Sequence, residues 1–466
     1  MKGIRKTGAI LAVLLPLVLF AVACGPEKLV QWAPDGQRAA VIANGSLLVA
    51  DEQGNLSRPI AEGVSRMAWL PDSAQALVVV ERKVKSWDEV VRLAPVELNE
   101  KEIVPAAQAV VEELTGYTGK LDDFKPSNAS ALTGEQWAAA LLYIKSRGDL
   151  RLKQKLGEKE WKDVEELEVE VRSLRIVSMS AGTAGDGRDL LTTMAEIGEP
   201  RISPDGAAAA IVAKRTHGWF GSSENVLSVM LLSPGSTPKQ VAEGVSGYPD
   251  WTADGSALVF VRDGSKQDQD SGGETIGIVG MQTVRDKAGA LTVEMPPAVD
   301  LARVLFRDSL KVRCLRDGRI LFSGHEVSLP AVAGDFPGRI NLYEIQTGTT
   351  VTVKHLLPAS AEQRLPDRVD LFELSPDQKR IAVPGSKGRV SLISLEKGEI
   401  VPVVDKDGPN DIPTLPVWRN NDQLCVAVPA GSPLGSARRP EIILWGQGQP
   451  RTISLHWTES AIPWLK

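Results

Sequence analysis

"PIAEGVSRMAWLPDS" runs from Pro59 to Ser73, and "QVAEGVSGYPDWTADG" runs from Gln240 to Gly255. The two phrases share an A-E-G-V-S opening, a Trp and an Asp-centred turn. The last part recurs along the chain as WAPDG (32–36), WLPDS (69–73), ISPDG (202–206), WTADG (251–255), CLRDG (314–318), LSPDQ (374–378) and a degraded WRNNDQ (418–423). A short apolar run follows each copy. Pro presets φ and Asp or Gly suits a tight reversal, so each copy reads as strand, turn, strand. The turn centres are Asp35, Asp72, Asp205, Asp254, Asp317, Asp377 and Asp422. A second set of glycine turns, at Gly54, Gly235, Gly348, Gly398 and Gly448, raises the unit to about four strands. Consecutive centres lie 37 to 63 residues apart, except for a gap of 133 between Asp72 and Asp205. That spacing is near the roughly 40–50 residues of a propeller blade. The expected fold is an all-β β-propeller of seven four-stranded blades, with a helical insertion in the second.

The SPDG-type turn after a Trp or aliphatic strand resembles the TolB-type propeller repeat, a relative of the WD repeat. The resemblance covers residues 29–457 apart from the insertion. It speaks to fold far more than to function. The family's namesake carries a further α/β domain ahead of its propeller. No room for one exists between Cys24 and the first repeat, so that protein's partners are not carried over.

The N-terminus reads as a targeting segment. Lys2, Arg5 and Lys6 precede an apolar stretch, Gly8 to Phe20, and small residues Ala21-Val22-Ala23 lead to Cys24. This resembles a bacterial lipoprotein signal, with lipid on Cys24 and cleavage before it, although Ala21 stands where Leu is commoner. A plain secretory signal is the competing reading. The chain divides into a signal (1–23), a tether (24–28), the first blade and the start of the second (29–83), a helical insertion (84–163), the remaining propeller (164–457) and a tail (458–466). Four residues between Cys24 and Leu29 reach about 14 Å at most, so the propeller is expected to sit close to a membrane of the bacterial cell envelope, on its periplasmic side or at the cell surface.

A net charge of −6 gives no basic face for nucleic acid. Only four histidines lower the prospect of zinc sites and imidazole chemistry. No GxSxG elbow or phosphate-cradling GxxxxGK[ST] occurs, and no cofactor or metal is expected. Cys314 holds the repeat position of Trp32, Trp69 and Trp251, and Cys425 lies on a second strand. Both are expected to be buried thiols rather than a disulfide. Within the insertion, Pro105 before AAQAVVEEL, with Gly116 at the far end, reads as a helix. Thr133 and Gln136 form a capping-box pattern ahead of Trp137, Leu141 and Ile144, which share one face. The charged stretch from Lys145 to Arg175 is either a solvated face or a docking module.

Connections between second and third strands fall on the face opposite the Asp turns. Asn44-Gly45 is a tight type I′ signal, whereas most of the others are long. They carry His217, Trp219, Phe220, His325, Phe336, Arg438 and Arg439, which form the candidate binding face. Asp268, Asp270 and Glu274 fall short of a full calcium-loop pattern and read as a polar hairpin loop. The expected function is a non-enzymatic binding or scaffold lipoprotein that meets an envelope protein or polymer. The alternative is an enzyme with a loop-face site, such as a polysaccharide lyase or a hydrolase.

Overall fold

The computed structural model describes residues 30–96, 100–116, 132–148, 150–180, 187–216, 223–263, 273–285, 291–305, 311–324, 341–347, 350–358, 365, 369–385, 389–404, 416–430, 439–445, 451–453 and 455. The first sheet contains β1 (Val30–Trp32), β2 (Ala39–Ala43) and β3 (Ser46–Ala50). The second contains β4 (Val64–Trp69), β5 (Gln75–Val84), β6 (Val169–Ser178) and β7 (Gly187–Thr193). In the third, β8 (Glu196–Ile197) and β9 (Arg201–Ile202) both pair with β10 (Ala208–Thr216), followed by β11 (Ser223–Leu231) and β12 (Lys239–Glu243). The fourth joins β13 (Val245–Trp251), β14 (Ala257–Asp263), β15 (Gly273–Gly280) and, after an extra hairpin of β16 (Gln282–Arg285) and β17 (Leu291–Glu294), β18 (Val299–Leu305). The fifth holds β19 (Val312–Cys314), β20 (Ile320–Gly324), β21 (Asn341–Gln346) and β22 (Thr352–His355). The sixth holds β23 (Glu373–Leu374), β24 (Arg380–Pro384), β25 (Val390–Ser394) and β26 (Ile400–Val404). The last holds β27 (Pro416–Trp418), β28 (Leu424–Ala430), β29 (Arg439–Trp445) and β30 (Arg451–Ile453).

The sheets are arranged radially as a β-propeller. Each neighbouring pair shares an apolar cluster: Leu47 with Met67 and Trp69, Leu77 with Ile197 and Ile211, and Leu227 with Trp251 and Phe260. The series continues with Val259 against Cys314 and Phe322, Leu321 against Phe372 and Ile381, and Ala382 against Trp418. Cys425 and Ile453 then meet Trp32 and Val41, which closes the ring. Among the described residues each sheet is built from one run of sequence, and no strand is shared across the closure. Side chains fasten it instead: the Arg419 guanidinium stacks 4.6 Å from the Trp32 ring centroid, its Nε donates to the Gly36 carbonyl at 2.9 Å, and it pairs with Glu52.

Among the described residues, six sheets reach four or more strands and the first reaches three. The uniform four-stranded pattern is therefore met only in part. The cause is local. Residues 56–61 do run beside β3, where Ser57 donates to the Val49 carbonyl and Ile60 to the Leu47 carbonyl, both at 2.8 Å. Pro59 stands between them without an N–H, so the run registers only as isolated bridges.

The Asp turns explain their own sequence. In the first six copies the Asp Oδ1 accepts the N–H two residues on, at 2.8–3.1 Å. The residue after the Asp is left-handed in all six, with φ from 56° to 85°. Gly36, Gly206, Gly255 and Gly318 meet that demand without a Cβ, while Ser73 and Gln378 adopt it at some cost. The seventh copy differs: Asn420 accepts from Asp422 and Gln423, and Asp422 instead approaches Arg380 at 3.4 Å. In the fourth sheet, Thr252 and Ser256 hydroxyls donate to Asp254 at 2.7 and 2.8 Å and hold its pKa down to about 2. The carboxyl of Asp254 should therefore titrate near pH 2 in an NMR pH series. The sign follows: its stabilisation is fully present above the ordinary value of 3.8 and is lost as pH falls through about 2.

The helices lie between β5 and β6: α1 (Trp87–Leu93), α2 (Glu100–Gly116), α3 (Gly134–Arg147), α4 (Leu150–Leu156) and α5 (Glu158–Glu165). They share a core of Val110, Trp137, Leu141, Ile144 and Trp161 with the ends of β5 and β6 at Val84 and Val169. Helix α2 starts five residues earlier than the proline suggested, leaving Pro105 inside it. Pro105 is exposed, so water can satisfy the Lys101 carbonyl that loses its partner. At α3 the capping box forms fully: Gln136 N–H donates to Thr133 Oγ1 at 3.2 Å, and Thr133 N–H donates to Gln136 Oε1 at 2.9 Å. Thr133→Ala should lower the stability of the insertion by about 1 kcal/mol in urea unfolding, and Thr133→Ser should retain most of it. The insertion also reaches the third sheet, where Glu135 Oε1 accepts the Thr216 N–H at 3.2 Å.

Candidate functional site

The proposed loop face lies largely outside the described residues. That holds for His217, Trp219, Phe220, His325, Phe336 and Arg438, and for Cys24 at the N-terminus. Arg439 opens β29, where its backbone pairs with Ala430. Asp268 and Asp270 also fall outside, while Glu274 pairs within β15. Cys314 and Cys425 are buried free thiols; burial raises both pKa values, that of Cys425 to about 12, which makes them poor nucleophiles.

The described residues draw together a different group, on the innermost strands. The first strands of the sheets converge there: β13 meets β19 and β9, and β27 meets β1 and β23. In the repeat frame, the residue just before the Trp position is Gln31, Ala68, Arg201, Asp250, Arg313, Glu373 or Val417. In the third to sixth sheets this gives an Arg, Asp, Arg, Glu alternation. Two residues further back stand Glu199, Tyr248 and Lys311 in the third to fifth sheets. Lys311 Nζ lies 2.5 Å from Glu373 Oε1, and Arg313 Nη2 lies 3.8 Å from Glu373 Oε2. Arg201 Nη1 is 3.8 Å from Glu199 Oε1, and its guanidinium sits 5.7 Å from the Tyr248 ring centroid. Asp250 Oδ2 accepts the Cys314 N–H at 2.8 Å.

These charges are out of water: the side chains of Lys311 and Arg313 are each 6% exposed and that of Glu373 13%. Burial and the nearby Arg201 push the Arg313 pKa down. For Arg201 burial works the same way, but Glu199, Glu373 and Asp250 outweigh it and leave the pKa raised.

The strands that carry this group are irregular. The third sheet's inner strand breaks at Gly198-Glu199-Pro200 between β8 and β9. In β13 the register shifts between Ser246 and Asp250, and Tyr248 crosses to bridge Lys311 of the next sheet. In β4 it shifts beside Arg66, which lies 3.9 Å from Glu196. Such bulges re-aim side chains beside sites. The alternation at the residue before the Trp position was available in the sequence once the repeats were aligned.

No protein-family model and no curated protein sequence matches the chain. Solved structures do. An oligogalacturonate lyase in complex with manganese is 10% identical, over 91% of this chain and 89% of that one, with a TM-score of 0.50. That likeness and the Asp-turn repeat agree. The chain is a β-propeller. TolB from Acinetobacter baumannii is 17% identical over 60% of this chain and 61% of its own length, with a TM-score of 0.37. The β-propeller domain of Cps50 (Swd1) from Myceliophteria thermophila is 8% identical over 87% and 94%, with a TM-score of 0.41. At such identities these likenesses speak to the propeller fold alone.

Proposed function

We propose that this chain is a lipid-anchored envelope protein whose seven-bladed propeller is a non-enzymatic binding scaffold. The blade count takes the first sheet as a blade whose outer strand is interrupted at Pro59. The observation that carries the scaffold reading is the insertion. It is a helical body with its own apolar core, built onto one blade and tied to the next through Glu135 and Thr216. A rigid ring that holds a packed appendage suits docking of an envelope protein or polymer. The basic, apolar and small-residue order ahead of Cys24 supports lipid attachment.

Two experiments test this. Pull-downs from detergent-solubilised membranes would compare the full chain with one lacking residues 84–163, and identical partner lists would remove the insertion's role. Cys24→Ser should release the protein from the membrane fraction, and retention there would overturn the anchor. An enzymatic reading draws on the buried Arg, Lys and carboxylate group and on the lyase among the structural neighbours. Product formation from oligogalacturonate by the full chain would favour it over the scaffold.

A further inference from the structure

Two guanidinium atoms on the innermost strands, Arg201 Nε and Arg313 Nη2, are buried without a hydrogen-bond partner. Buried donors are almost always satisfied, so two such atoms in one charged group require an explanation. Their ion pairs do not supply it. Both arginines reach carboxylates only at 3.8 Å, beyond hydrogen-bond length, whereas Glu373 spends its short contact on Lys311. The other nitrogen of the Arg313 fork is engaged, since Nη1 donates to the Val312 carbonyl at 2.8 Å. The two arginines occupy equivalent repeat positions on the third and fifth sheets, with Asp250 of the fourth between them in ring order.

We propose that a monocarboxylate binds between Arg201 and Arg313 at the inner end of the third to fifth sheets. A carboxylate offers two acceptor oxygens, matching the donors left over on the two forks. Its charge also offsets the repulsion between two cations held close in a poorly solvated place. Glu199, Asp250 and Glu373 already balance Arg201, Lys311 and Arg313, so every added negative charge meets their repulsion, and a phosphate dianion meets about twice that of a monocarboxylate. Tyr248 packs over Arg201 and helps fix the orientation of its guanidinium. The carboxylate comes either from a free small acid or from a peptide C-terminus, which present the same group.

The test follows thermal unfolding of the full chain in chloride buffer at fixed ionic strength. Acetate, phosphate, triglycine and triglycine amide are titrated separately. A ligand that binds only the folded state raises the melting temperature with saturation. A saturating rise with both acetate and triglycine supports the site and a free-acid source. A rise with triglycine but not acetate supports it and assigns a peptide terminus. Phosphate should act more weakly than either acid. In Arg201→Lys and Arg313→Lys, affinity should fall about tenfold, as expected for a lost charged hydrogen bond. An equal response to triglycine amide, an equal response to phosphate, unchanged affinity in both variants or no saturation would each overturn the proposal. Should a variant not fold, the Arg201 Hε resonance of the unaltered protein decides: movement with acetate supports the site and a fixed resonance with all four probes overturns it.

Discussion

Replacing Glu373 with Gln is expected to destabilise the propeller by about 3–5 kcal/mol, the usual cost of stripping one partner from a buried ion pair. Gln keeps the volume and a polar head but removes the negative charge. Lys311, at 2.5 Å, then loses its close counter-charge, and Arg313 loses the carboxylate at 3.8 Å. Neither cation can escape to solvent from an inner strand. Urea unfolding monitored by tryptophan fluorescence reads the loss directly. The helix pair Lys162 and Glu166 supplies the contrast: both side chains are about 70% exposed, so Glu166→Gln should change stability by less than about 0.5 kcal/mol. Adding Lys311→Met to Glu373→Gln should recover part of the loss, because one stranded charge is then gone. A loss as small as that of the helix pair would mean that solvent reaches the inner strands.

Local chemistry made much of this fold legible. The Asp turns, the Asn44-Gly45 reversal with φ of 47° and 77°, and the Thr133 capping box are all decided by residues within a few positions of one another. Their backbone demands leave a mark on sequence. The charged group on the inner strands shows only when the repeats are aligned, since Arg201, Lys311 and Glu373 come together only when the third, fifth and sixth sheets are brought around the ring. An Arg or Glu before an aromatic strand end looks like any alternating strand. Hairpin β16–β17 follows the same logic: it is placed by contacts distant in sequence, with Val293 packing against the third-sheet cluster and Lys239 Nζ donating to the Val293 carbonyl at 2.8 Å. Asn420 stood in for the seventh Asp because an amide oxygen accepts the same backbone N–H groups as a carboxylate.

Trp251→Ala should cost about 3–5 kcal/mol, in the range for truncating a buried Trp. The side chain fills the boundary between the third and fourth sheets, among Leu227, Leu258 and Phe260, and is 4% exposed. Its indole N–H also donates to the Arg201 carbonyl at 2.9 Å. The same bond ties Trp69 to Gln31 at 3.0 Å and Trp418 to Glu373 at 3.1 Å, so Trp69, Trp251 and Trp418 are inter-sheet fasteners as well as core. Trp251→Phe separates the two roles: it keeps most of the apolar volume and leaves the Arg201 carbonyl unsatisfied, at a cost of about 1–3 kcal/mol. The fifth sheet offers a natural control, because Cys314 holds the Trp position there and brings only a thiol, 3.9 Å from the Asp250 carbonyl oxygen. Cys314→Ala should therefore cost clearly less than Trp251→Ala in the same urea series. The backbone of Arg201 is held by Trp251 and its guanidinium lies in the charged group. Trp251→Phe should consequently weaken any acetate response even where the protein stays folded, while Cys314→Ala, which leaves the Asp250 carboxylate its backbone donor, should not.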